Sequence, residues 1–222
     1  PATCTRTRRG TLAARGDGAR ETAPQTHAAV RVSRTRLLTS DDWPEAELRA
    51  AVLAGELVAV GACWASPAEP QNPALRAAAA AWALRDERLI ASTRTAAWVW
   101  GAVSRAPSPL EACVPLRVRV HVDGALRVRE VVITDEDVVV LGGLRVTTPL
   151  RTVVDLLRSP GDRPGGFDPS DAAAVVGLLA IGAVSVDAVG GSLATLGKIP
   201  MARQAERRLR AVLESGQPAL TR

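Results

Sequence analysis

The residues that could do chemistry in this chain are few: two histidines, three cysteines, and one run of three acids. His27 and His121 lie too far apart to read as a ligand pair. Cys4, Cys63 and Cys113 give neither the even count of a disulfide framework nor the short spacing of a zinc site, so a reducing compartment is expected. Asp135, Glu136 and Asp137 would alternate faces if extended, leaving at most two to share a metal; between β-rich runs they read as an acidic turn. Ser92 and Ser104 have no neighbouring base, and Lys198 stands outside any Gly-rich phosphate loop. The pattern points away from catalysis and calls for no cofactor or metal. What remains is arginine: Arg117, Arg119, Arg127 and Arg129 in two β-like runs, and Arg151 one helical turn from Asp155.

Those arginines need a sheet to hold them. From 109 to 147 the hydrophobic period is two: LEACV, LRVRVHV, ALRVREVVI, DVVVL and LRVTT read as strands of one small sheet. Gly142-Gly143 is a hairpin signal. Around Asp123-Gly124 a three-residue loop would pair Val122 with Leu126 and Val120 with Val128, making one face wholly apolar. That register sets Arg119 against Arg129 and His121 against Arg127, with Arg117 in the same row. Like charges opposed on a sheet face cost ~0.2–1 kcal/mol per pair. Either solvent and nearby acids offset this, or an anionic partner does; both readings stay open.

Helices flank the sheet. Ser40-Asp41-Asp42-Trp43-Pro44-Glu45 starts one, with acids near its positive end, and Gly55 stops it. LVAV and CWAS suggest a hairpin around Gly61, so 34–68 reads as a helix followed by a small wing. The wing offers Ala59, Gly61 and Ala62 where a DNA-reading wing wants arginine; Arg49 on the helix has Glu45 and Glu47 for company. Residues 73–85 are strongly helical, with Leu75, Ala79 and Trp82 facing in, and 88–91 reads as a short extended link. Ser92 caps a second helix ending at Gly101. Beyond Leu157 a Pro/Gly-rich stretch looks like a boundary. Helices then open at Asp168-Pro169, Ser185 and Pro200; in the last, Leu209, Val212 and Leu213 face in, Arg203, Arg207 and Arg210 face out, and Glu206 can pair with Arg210.

The charge is lopsided. The chain carries +5 overall, yet residues 1–40 hold eight arginines against Asp17 and Glu21, so the remainder is close to neutral. A basic stretch with so little apolar periodicity, residues 1–33, is expected to be a disordered arm that either tracks phosphates or has no role. Aromatic residues make up 3% of the chain and Tyr is absent, so the five tryptophans (Trp43, Trp64, Trp82, Trp98, Trp100) should anchor an interior of Ala, Val and Leu. No apolar run reaches the ~18 residues of a membrane span, which suggests a soluble cytoplasmic protein.

The stretch RVTTPLRTVVDLL, residues 145–157, has the most explicit local signals. Thr148 suits an N-cap, Pro149 the first helical position, and Leu150, Val153, Val154 and Leu157 form one apolar stripe. Together with Ser92, Thr95, Ala96, Ala97 and Gly101, the residues Val146, Thr147, Thr148, Pro149, Arg151, Thr152, Asp155 and Leu156 resemble the motifs of the AbiEi-type antitoxins of actinobacteria and AbiEi-like transcriptional regulators, over about residues 34–158. The resemblance implies an antitoxin-like regulator of a type IV toxin–antitoxin or phage-defence system. Its partners would be operator DNA, through Arg34, Arg36 and Arg49, and a nucleotidyltransferase-like toxin or other protein, through Arg117, Arg119, Arg127 and Arg129. The alternative is a scaffold of the same fold that binds protein and not DNA. The expected fold is α+β: arm (1–33), degenerate winged-helix-like element (34–68), a small mostly antiparallel sheet flanked by helices (69–158), and a helical C-terminal segment (159–222).

Overall fold

The computed structural model describes residues 37–122, 124–160, 166–196 and 201–216. The arm of residues 1–33, with His27 and Cys4, and Arg34, Arg36, Asp123, Lys198 and Pro200 lie outside the described residues. The described residues fall in one compact unit and are α+β.

The first element is α1 (Glu45–Leu53), which starts after Pro44 with Glu45 and Glu47 beside its positive end. Gly55, at φ +76°, supplies the left-handed turn that ends it. Strands β1 (Val58–Val60) and β2 (Cys63–Ala65) then form the expected hairpin, with Val60 opposite Cys63 and Gly61-Ala62 as the turn. Leu38 bridges to Trp64 and gives that hairpin a third, single-residue rung. The turn does not stand free: a Cβ on Gly61 would lie 3.0 Å from a ring carbon of Trp98. Trp64 and Trp98 are buried, Trp82 and Trp100 partly so. Trp43 is 55% exposed, against the expectation that all five indoles anchor the core.

Next come α2 (Pro73–Leu84), capped by the Asn72 side chain, then β3 (Ile90–Ala91) and α3 (Thr93–Trp100). The sheet is completed by β4 (Leu110–Pro115), β5 (Leu126–Val131), β6 (Val138–Leu141) and β7 (Leu144–Thr147), in the order β5-β4-β3-β7-β6. It is mixed: β3 runs antiparallel to β4 and parallel to β7, β4 parallel to β5, and β6–β7 form the hairpin expected at Gly142-Gly143, both at positive φ. Residues 88–91, read as a mere link, supply the central strand.

The 117–122 stretch corrects the sequence register. It is not a strand; the chain turns at Leu116-Arg117, with Arg117 at φ +69°, and crosses over so that β5 lies parallel beside β4. Arg127 therefore sits opposite Glu111 and Arg129 opposite Cys113, and neither the Arg119–Arg129 nor the His121–Arg127 pairing exists. The reason is that alternation reports alternate burial and not pairing. Val118 and Val120 pack against the core while Arg119 and His121 are exposed, without any ladder. Strand β4, buried along most of its length, lies inside the sheet with β3 on one side and β5 on the other.

Helices α4 (Pro149–Arg158), α5 (Pro169–Ala180), α6 (Val186–Thr195) and α7 (Ala202–Gly216) close the fold. Thr148, Asp168 and Ser185 cap α4, α5 and α6 as their sequences require. The Pro/Gly-rich stretch after Leu157 does not divide the helices into separate cores. Val153, Leu156 and Leu157 of α4 pack with Ala174, Val175 and Leu178 of α5, Val189 and Leu193 of α6, and Leu209 and Val212 of α7. On α7, Leu213 lies at the exposed margin and Glu206 makes no ion pair with Arg210. The charged residue that matters there is Arg208, which is buried. Its guanidinium donates to the Leu157 and Ser159 carbonyls at 2.8 and 2.6 Å and to the Gly166 carbonyl, and lies 4.8 Å from the Phe167 ring. It thus caps the negative end of α4, where the last carbonyls lack helical partners.

Candidate functional site

Charge is concentrated where the start of α3 meets β4, β5 and α5. Ser92 holds the N-cap position of α3 but its hydroxyl makes no capping bond. Glu111, reaching over from β4, takes that role. Its Oε2 accepts from Thr93 Oγ1 at 2.6 Å and from the Arg94 amide at 3.0 Å; its Oε1 accepts from Arg94 Nε at 2.9 Å and Nη2 at 2.5 Å. The Glu111 amide in turn donates to Thr95 Oγ1 at 2.7 Å. Thr93 sits at φ +46°, an unusual backbone for a β-branched residue that costs of order 1–3 kcal/mol. The buried carboxylate holds it there.

Asp171, in the first turn of α5, places Oδ1 3.6 Å from Arg94 Nε, and Arg127 Nη1 lies 3.9 Å from Glu111 Oε1. With Arg129 and Asp168 these side chains line a cleft of about 140 Å³. The two buried acids diverge electrostatically. Burial alone would raise the Glu111 carboxyl, but hydrogen bonds from Arg94, Thr93 and the Arg94 amide outweigh it and hold it below the ordinary glutamate value. Asp171, with only a long contact to Arg94, is pushed by burial up to about 6, with Asp168 and Glu111 adding to the rise. Glu111 is spent on donors, and the Thr93 hydroxyl is spent on Glu111. The arrangement positions charge at an edge of the sheet.

A second arginine is held between two acids at the start of α4. Arg151 donates to Asp155 at 2.9 Å, as the helical spacing implies, and also to Asp137 at 2.6 Å and to the Val132 carbonyl at 3.0 Å. Asp135–Asp137 forms a 3-10 turn whose Asp137 carboxylate also accepts from Thr134. Those acids stitch the turn onto α4. Among the described residues no group of three or more His, Cys, Asp or Glu could hold a metal. Cys63 and Cys113 are buried free thiols, and burial pushes each up to about 11.

The sequence-derived partner residues scatter differently. Arg127 and Arg129 share one face of the edge strand β5. Arg117 and Arg119 are exposed on the crossover before it; the Arg117 amide donates to Glu130, and the Arg119 carbonyl accepts from Arg88 at 2.8 Å. Arg49 is exposed on α1 and ion-paired with Glu45 at 2.7 Å. Arg34 and Arg36 lie outside the described residues. Sequence reasoning did not reach Arg94, Glu111 or Asp171. One signal was available: Glu111 is a lone charge inside the apolar run LEACV, and a buried charge requires a partner.

Residues 89–180 match the family model of the AbiEi antitoxin C-terminal domain. This span runs from the central strand through α5 and contains both arginine clusters, whereas α1, the β1–β2 hairpin and α2 precede it. A search of curated proteins finds no match. Among solved structures, the crystal structure of the RV2827C protein from Mycobacterium tuberculosis aligns at 19% identity and a TM-score of 0.42, covering 84% of this chain and 74% of that one.

Proposed function

We propose, from the match of residues 89–180 to the AbiEi antitoxin C-terminal domain model, that this chain is an antitoxin-like regulator that opposes a nucleotidyltransferase-like toxin. The observation that carries the reading beyond the family is the β5 edge. Within the matched span it carries Arg127, exposed, and Arg129, half-buried, neither bonded closely to an acid among the described residues, with Arg117 and Arg119 exposed on the adjoining crossover. An acidic toxin face is the complement of such an edge. We read the chain as non-catalytic and cytoplasmic; among the described residues no helix is long and apolar enough to cross a membrane.

Operator binding through Arg34, Arg36 and Arg49 is the second half of the proposal, and specific observations favour the scaffold alternative over it. The β1–β2 hairpin carries no basic residue, its turn is packed on Trp98, and Arg49 is engaged by Glu45. Co-expression with a nucleotidyltransferase-like toxin encoded beside its gene tests the first half: the chain should restore growth, and failure to do so with both proteins present would sink it. A mobility-shift titration with promoter DNA at two salt concentrations tests the second. Salt-dependent binding at micromolar protein supports operator recognition; none at either salt leaves the scaffold.

A further inference from the structure

Away from the charged cleft, the molecule has a groove of about 690 Å³ between the β1–β2 turn, the end of α2 and the Ser104–Ser108 stretch. That volume lies within the range of small-molecule sites, ~300–1,000 Å³. It exists because the walls are built from small residues, among them Ala59, Ala62, Ala79 and Ala83, facing the indoles of Trp82 and Trp98. Among the described residues, the charged side chains that line it are Arg85 and Arg105. Arg85 is already occupied, 3.3 Å from Asp41 and 4.6 Å from the Trp82 ring. Arg105 is exposed and has no ion-pair partner among the described residues. Trp98 is 3% exposed, and its six-membered ring lies against the β1–β2 turn. An apolar trough walled by two indoles, with Arg105 unpaired among the described residues at its rim, is a receptor for a ligand with an apolar body and an anionic head.

The geometry points to a binding site for a small amphipathic carboxylate, of the medium-chain or aromatic kind, with its body against Trp82, Trp98 and the alanines and its carboxylate on Arg105. The site is independent of the toxin reading and of DNA binding. Because the β1–β2 turn forms one wall and Gly61 rests on Trp98, occupancy bears directly on where that hairpin sits.

Calorimetric titration of the full chain with octanoate, 1-octanol and octylammonium, matched in chain length and different in head group, tests the assignment. Octanoate should bind one to one, at least about 10-fold more tightly than octylammonium, a ratio equal to ~1.4 kcal/mol. Arg105→Gln should weaken octanoate about 5-fold or more and leave octanol unchanged, and Ala83→Phe should abolish both. In ¹⁵N spectra the five indole N–H signals, assigned by Trp→Phe variants, should show Trp98 and Trp82 moving on octanoate addition while Trp43 stays. No octanoate binding at millimolar concentration overturns the site. So does equal affinity for octanoate and octylammonium, which would make the groove a plain apolar surface for a protein side chain. Arg105→Gln keeps the proposal falsifiable even if Ala83→Phe does not fold.

Discussion

Two arginines in this molecule are each held between two carboxylates, and they do different things. Arg151 lies between Asp137 and Asp155, with a backbone carbonyl completing its donors, and both acids are within 3 Å. Arg94 lies between Glu111 and Asp171, but one acid is at 2.5 Å and the other at 3.6 Å. In the first cluster both acids bond the guanidinium directly, and it acts as a clip between the 3-10 turn and α4. The second is lopsided: Glu111 is fully engaged, and Asp171 is buried without an adequate partner. Composition alone does not decide what a charge cluster does; the distribution of donors does.

The largest effect should come from Glu111. Glu111→Ala removes the cap of α3, frees the Thr93 hydroxyl, and leaves Arg94 with a distant acid only. Breaking a buried pair by deleting one member costs about 3–5 kcal/mol. Urea unfolding should show a loss of that size. A loss under about 1 kcal/mol would mean that the network is a bystander to the α3 start.

Next is the clip. Arg151→Met keeps much of the apolar stem but sets Asp137 and Asp155 beside one another without a cation. Asp137 is more accessible than Glu111, so water can relieve part of the cost, and we expect a loss of about 2–3 kcal/mol. If Arg151→Met cost more than Glu111→Ala, the assignment of the stronger role to the lopsided cluster would be wrong.

How far each cluster could be read from sequence follows from distance along the chain. Arg151–Asp155 is an i, i+4 pair on a helix announced by Thr148-Pro149, so half of that clip was legible; Asp137, which joins it from another element, was not. Arg94, Glu111 and Asp171 come from three separate elements. Their meeting depends on β4 lying beside β3, which no local pattern dictates. The same limit explains the strand error. Val118, Val120 and Val122 alternate as a strand does, and only the competition for a place beside β4 shows that β5 wins it. Hairpins with glycine turns and helices with explicit caps were readable because their determinants are adjacent. Arg208, buried at a helix end, is not picked out by the α7 pattern because helical periodicity cannot say what a neighbouring helix lacks.

Asp171 gives the comparison a pH signature. Its folded carboxyl is raised from 3.8 to about 6, so the folded state holds the proton more tightly than the unfolded chain. The stability this contributes is complete below pH 3.8 and is lost as pH rises through about 6. Glu111 runs the other way, being lowered from 4.5: its contribution is present above that value and fades as pH falls through the folded one. Between about pH 4.5 and 7, Asp171 therefore dominates this pair, and stability should fall as pH rises. The ceiling is ~3 kcal/mol, at ~1.4 kcal/mol for each tenfold gain in proton affinity, and solvent screening brings the fall to about 1–2 kcal/mol. Asp171→Asn should flatten that slope and be the more stable protein at pH 7 by about 1–2 kcal/mol. A wild-type curve that rises over this range, or an Asn variant with an unchanged slope, would place the titration elsewhere.

The smallest stability effect belongs to Arg127, and it sharpens the contrast most. Arg127 reaches toward Glu111 at 3.9 Å, but its side chain is 61% exposed, and Glu111 is already engaged by Arg94. An exposed charge in that position contributes ~0–1 kcal/mol to stability, and usually the lower end. Arg127→Gln should leave the unfolding midpoint within error while Glu111→Ala shifts it far. If the β5 edge meets an acidic toxin face, the same silent substitution should slow association with the toxin several-fold at low salt and lose that effect as salt rises, since rim charges act through steering. Adding Arg129→Gln should deepen the effect. The double variant binding at the wild-type rate at every ionic strength would assign both arginines to solvent and move the toxin contact to another face.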